Sequence, residues 1–220
     1  MDLWQPVDIY CERLGPGFWA EPLNALSNLS FVLAGLLGLW LNARHARDGF
    51  VALLSAGVIV VGIGSFLFHT FANRLTGLAD VIPIWSFVVL YIVFALRRFF
   101  GQSWLRVART MAIAIVVAFG VMAIVPGDGS GTLNGSLQYL PAILGLVVFS
   151  AALSLARHAA ARYILAATAI FLVSLAFRTV DIAVCEDWPL GTHVFWHLLN
   201  GTMLGVLLVA AARHGVKARA

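Results

Sequence analysis

Seven stretches of predominantly apolar residues, at about 23–42, 50–71, 80–96, 110–126, 137–155, 163–182 and 193–212, constrain this chain more than any other feature. Each approaches the ~20 residues that an α-helix needs to cross a bilayer. A bilayer interior offers no water to unpaired backbone groups, so such stretches fold as helices packed side by side. Short polar or turn-rich segments separate them, among them VPGDGSGTLNGS at 125–136. No repeat, low-complexity tract or long linker divides the chain. A single all-α membrane domain over residues 1–220, a seven-transmembrane-helix bundle, is therefore expected. Composition agrees, with 61% hydrophobic and 11% charged residues and a mean hydropathy of +0.94. A soluble domain carries roughly 25% charged residues. The deficit excludes a disordered segment, a soluble enzyme and a nucleic-acid partner, despite the net charge of +4 and pI near 9.6. The start, MDLWQPVDIYCER, lacks the basic-then-apolar pattern of a cleaved signal peptide.

Orientation follows from where the basic residues fall. Arg44, Arg47, Arg97, Arg98, Arg106, Arg109, Arg157, Arg162, Arg213, Lys217 and Arg219 belong to one side, and only Arg13 and Arg74 to the other. Acidic residues show the reverse bias: Asp2, Asp8, Glu12, Glu21, Asp128, Glu186 and Asp187 face Asp48 alone on the basic side. The positive-inside rule then predicts a cytoplasmic C-terminus and an outer N-terminus. Trp4, Trp19 and Trp188 serve as interface anchors on the outer side, Trp40 and Trp104 on the inner.

Ionisable groups at membrane depth are costly and mark function by default. His45, His158 and His214 sit beside cytoplasmic arginines and read as solvated. His69 and Ser65 fall in the outer half of the second span, Asp80 at the outer start of the third, and His193 and His197 in the first turns of the seventh. Ser65 and His69 are four residues apart, as are His193 and His197, so each pair shares a helix face. Convergence of all five is a prediction for the structure. Three neutral imidazoles match a catalytic zinc site that keeps a fourth position open, and such a metal brings a bound water to a pKa of about 7. The HVFWH segment lacks the glutamate of HExxH, which leaves Asp80 as the candidate general base. Ser65 is a candidate donor to a developing oxyanion or an aid to the metal. The competing reading makes each an interior hydrogen-bonding residue that joins helices.

These residues resemble the alkaline ceramidases and the wider CREST group of seven-helix membrane hydrolases. GIGSFLFH at 62–69, Asp80, HVFWHLLNG at 193–201 and CERLGPGFWAEPLNALSNLSF at 11–31 carry the resemblance, while the fourth and fifth spans match only as hydrophobic helices. It implies an intramembrane zinc amidase in which His69, His193 and His197 hold Zn2+. Asp80 would deprotonate the metal's water and later protonate the leaving amine, and Ser65 would stabilise the oxyanion. The products would be a fatty acid and a sphingoid-type base from a ceramide-like membrane lipid. The resemblance also implies a calcium (Ca2+) site from acidic residues before the first span. Glu12 and Glu21 match two of its positions, Asp8 lies one residue from a third, and Leu14 replaces a polar ligand. A solvated acidic N-terminus is the alternative.

Cys11 and Cys185 both fall on the outer side, where an oxidising compartment permits a disulfide; two reduced thiols are the alternative. Arg178 and Asp181, three apart on the sixth span, are expected to form a structural ion pair. Asn24, Ser27 and Asn28 read as caps and helix contacts. Zinc-site ester hydrolysis by a phospholipase-like relative is the nearest enzymatic alternative, and a seven-helix zinc-binding receptor the non-enzymatic one. A receptor would hold its metal with four protein ligands. The sole lysine, Lys217, lies in the tail, so a retinal Schiff base in the seventh span is excluded. Arginine far exceeds lysine and alanine is abundant, hinting at a GC-rich bacterial genome. That suggests the bacterial cytoplasmic membrane with the site toward the periplasm; in a eukaryote it would face the secretory lumen.

Overall fold

A computed structural model describes residues 2–124 and 133–215. Among them are eight α-helices: α1 (Pro22–Ser27), α2 (Leu29–Leu41), α3 (Gly49–Phe71), α4 (Arg74–Arg98), α5 (Trp104–Ile124), α6 (Leu140–Leu155), α7 (Ala161–Val180) and α8 (His193–His214). The first two form one apolar rod with the turn that follows, so seven helical units are long and apolar enough to cross a membrane. Asp128, Lys217 and Arg219, which entered the orientation argument, lie outside the described residues.

Local chemistry sets the helix starts. Asp48 caps α3 by accepting from the backbone N–H groups of Phe50 and Val51, and its other oxygen pairs with Arg98 at 2.6 Å. Asn73 and Thr76 form a reciprocal capping box at the head of α4. That box starts the third span at Arg74 rather than at 80, which moves Asp80 from the helix mouth to nearly two turns inside it. The fourth span likewise starts at Trp104, so Arg106 and Arg109 lie on α5 instead of a loop.

Helix α8 sits at the centre, packed against α2 and α7; α3 lies between α2 and α4, and α6 flanks α7. Leu54, Val58, Phe94, Leu153, Ile164 and Leu208 are fully buried between these helices. Helices α3 and α4 meet closely where Gly64 faces the Ala79 carbonyl, a spot any Cβ would fill. This contact brings the start of α4 against the end of α3.

The two ends of the bundle differ. At one end the chain turns between α2 and α3, α4 and α5, and α6 and α7 on arginine-rich segments. The other end is crossed by residues 2–21, an N-terminal strap. Val7 N–H donates to the Ala72 carbonyl at 2.8 Å, and the N–H groups of Arg74 and Leu75 donate back to Gln5 and Leu3. Farther along, Cys11 is disulfide-bonded to Cys185 in the α7–α8 connection, with Cα atoms 5.3 Å apart.

Candidate metal centre

The strap end holds His69 from the last turn of α3 and His193 and His197 from the first turns of α8. Each is 1% exposed. The ring centroids lie 5.3 Å (His69–His193), 4.7 Å (His69–His197) and 4.6 Å (His193–His197) apart. Ligand nitrogens of all three fall within 4.8 Å of one another.

Partners fix two of the rings. His69 Nδ1 is 2.6 Å from Glu21 Oε2, leaving Nε2 to face the cluster, and His197 Nδ1 is 2.8 Å from Ser27 Oγ. A carboxylate behind an imidazole sets its tautomer and raises its basicity, which is how metal-ligating histidines are held. His69 Nε2 and His193 Nδ1 are buried without a hydrogen-bond partner. Buried polar atoms are nearly always satisfied, so two orphaned nitrogens within a knot of three imidazoles fit a bound cation. These three histidines are therefore positioned to hold a metal ion.

Asp80 and Ser65 stand beside the cluster. Asp80 is not among the three side chains that converge as ligands, but its backbone N–H lies against Gly64, the residue before Ser65. Ser65 is one turn below His69 on α3 and is buried. The Gly64–Ala79 contact explains the proximity, because it holds α4 against the face of α3 that carries Ser65.

The acidic residues expected to bind calcium have other partners in this structure. Glu12 directs both oxygens at the first turn of α1, accepting from Leu23 N–H at 2.7 Å and Asn24 N–H at 2.8 Å. It serves as a helix cap supplied from a distance. Burial raises the Glu12 pKa, with the Asn24 and Leu23 N–H groups opposing. Glu21 is held by Arg13 Nε at 2.5 Å, by Asn24 and by His69. Burial pushes its pKa up, but His69, Asn24 and Arg13 outweigh that and keep it below the usual carboxylate range. Asp8 is exposed. Calcium takes six to eight oxygens; here Glu12 and Glu21 meet at Asn24 and are occupied by N–H donors and by the Arg13 guanidinium.

The expected ion pair between Arg178 and Asp181 is also absent. Asp181 is the C-cap of helix α7, and both of its oxygens are taken by other donors. Asp181 Oδ1 instead accepts from the N–H groups of Thr192 (2.6 Å) and His193 (2.9 Å), and Oδ2 accepts from Cys11 N–H (3.1 Å). It caps α8 at the histidine that begins it and ties the strap there. Gly191 makes room: its φ is +64°, and a Cβ would strike Asp181 and Cys11. Arg178 Nη1 donates to the Tyr10 hydroxyl at 2.7 Å. Tyr10 lies flat on His193, with centroids 3.7 Å apart, so the strap roofs the histidine cluster. Burial pushes the Tyr10 pKa up, with Arg178 opposing.

Beneath the cluster opens an apolar cavity. Tyr139 and Trp196 line its upper end, and Phe99, Leu153 and Ile164 its floor at the arginine-rich end. A pocket of that depth and polarity suits a hydrocarbon chain.

Sequence reasoning missed the supporting partners. From sequence, Glu21 reads as a calcium ligand or a solvated acid, Ser27 as a helix contact and Arg13 only as an outer-side charge, and nothing singles out Tyr10. The one available signal was Glu21-Pro22, an acidic residue at a helix start on the side of the histidines. Compared with curated proteins, the chain has no significant match. A family model described as Ceramidase matches residues 13–219, nearly the whole chain, and the protein belongs to that family.

Proposed function

We propose that the protein is an intramembrane zinc-dependent amidase that hydrolyses the amide of ceramide or a related N-acyl lipid to a fatty acid and an amine. The observation that carries this reading is the knot of three buried imidazoles, two with orphaned nitrogens, directly above a deep apolar cavity. His69 through Nε2, His197 through Nε2 and one nitrogen of His193 would hold the ion. Three imidazoles with no fourth protein ligand among the described residues suit a catalytic zinc rather than a receptor's closed site. When bound, zinc polarises the amide carbonyl and lowers the pKa of water at the site.

The chain's own residues do the rest. The acyl chain enters the cavity between α4, α6 and α8, which fixes the amide at the histidine layer. Asp80 takes a proton from the attacking water and delivers it to the nitrogen as the C–N bond breaks. Ser65 donates a hydrogen bond to the carbonyl oxygen as negative charge gathers there. Tyr10 and the disulfide-anchored strap cover the reacting atoms and keep bulk water out. Arginine clustering at the opposite end supports an outward-facing site, toward the periplasm in a bacterium.

Asp80→Asn tests the assignment. The variant is expected to retain about one zinc per chain while fatty-acid release falls by ~100-fold or more, the scale of a lost general base. A variant that keeps near-normal turnover removes Asp80 from the mechanism.

A further inference from the structure

Arg178 is the charged side chain that this chemistry leaves unused. It lies near the end of α7 and is 6% exposed. Its guanidinium carbon is 5.6 Å from the Tyr10 ring centroid, 5.6 Å from Tyr139 and 5.4 Å from Trp196. Among the described residues no carboxylate comes within salt-bridge distance: the ion pairs are Arg13–Glu21, His69–Glu21 and Arg98–Asp48. Asp181, the nearest acid in sequence, is committed to three backbone N–H groups. The Arg178 Nε is buried without a hydrogen-bond partner.

Aromatic faces and one phenol orient a guanidinium but do not neutralise it. Buried charges in membranes are paired or mark a ligand path. The position of Arg178 indicates which ligand. Tyr139 and Trp196 belong to the upper wall of the cavity, and Tyr10 is stacked on His193. The guanidinium therefore stands at the junction of the acyl cavity and the histidine layer, where a substrate's head must lie.

We propose that Arg178 recognises an anionic head group, and that the preferred substrates are N-acyl amino acids, whose carboxylate sits one carbon beyond the amide nitrogen. This rests on the amidase reading above. With the chain in the cavity and the amide at the histidines, that carboxylate meets the unpartnered Nε–H. Arginine suits the task because its planar fork matches a carboxylate and its charge does not titrate away. A neutral N-acyl alcohol would offer the buried Nε–H no charged partner. If Arg178 served only to hold Tyr10 and the strap, its loss would affect every substrate equally.

The test compares N-palmitoylglycine with N-palmitoylethanolamine, which share chain and amide and differ in carboxylate against hydroxyl. The zinc-loaded wild-type protein in detergent is expected to prefer the glycine conjugate by about tenfold or more in kcat/KM, and Arg178→Gln to erase that ratio. Arg178→Lys, which keeps charge without the fork, should retain part of it. Equal use of both lipids by the wild type overturns the proposal, as does a preference that survives unchanged in Arg178→Gln. If Arg178→Gln does not fold, the Arg178→Lys ratio decides: an undiminished preference overturns the role of the fork. Binding of both lipids to Asp80→Asn separates the two readings. Tighter binding of the glycine conjugate without hydrolysis of either lipid by the wild type would sink the amidase while leaving anion recognition standing.

Discussion

Helices α8 and α5 are nearly equal in length, at 22 and 21 residues, and both are apolar enough to cross a bilayer. Of the most apolar 18-residue window in each, 56% is buried in α8 and 6% in α5. Helix α8 carries His193, His197 and Asn200 on buried positions, whereas α5 buries only Val107 and is wholly apolar from Met111 to Ile124. Lipid tails are as apolar as leucine, so an apolar helix gains little by leaving them. Polar and small residues are what draw a helix to the centre. Hydropathy says that a helix spans; the exceptions to hydropathy say where it sits.

That contrast can be broken by substitution. The strongest stability effect is expected where the strap is fastened to the head of α8. Cys11→Ser should cost about 2–4 kcal/mol, read as a lower denaturation midpoint that added reductant reproduces in the wild type. An unchanged midpoint would mean that the strap's hydrogen bonds hold it without the disulfide. Next comes the support behind the cluster. Glu21→Gln keeps the shape but removes the charge behind His69, and metal affinity by chelator competition should fall ~10–100-fold. If affinity is unaltered, Glu21 serves the Arg13 contact and not the histidine. The smallest effect belongs to α5. Val116→Ala, at a position 71% exposed toward lipid, should stay within about 0.5 kcal/mol by denaturant titration. A larger loss would show that α5 has a partner surface and would weaken the comparison.

The same contrast explains what could be read in the sequence. Seven spans were legible because length and apolarity suffice to define them. Their starts were not: Asn73 and Thr76 begin α4 earlier than hydropathy does, because a capping box tolerates polar residues inside a helix. His69, His193, His197, Asp80 and Ser65 stood out because charged and polar groups are scarce at that depth. Their supporting partners did not. Glu21 and Tyr10 lie on a strap whose path depends on the disulfide and on the bridge to Asn73, neither of which spacing reveals. Arg178 and Asp181 have helical spacing, but Asp181 at the C-cap of α7 accepts from three N–H groups that lie far away in sequence or beyond the turn. Spacing shows which groups can meet, not which competing donors will take them.

The central claim is that the three histidines hold a metal required for amide hydrolysis. Fatty-acid release from an N-acyl lipid, followed on one preparation before chelation, after chelation and after zinc is restored, tests it most directly. The account predicts turnover that disappears with the metal, returns with about one zinc per chain, and cannot be restored in His197→Ala. Hydrolysis that continues in metal-free protein, or in His197→Ala, would contradict it.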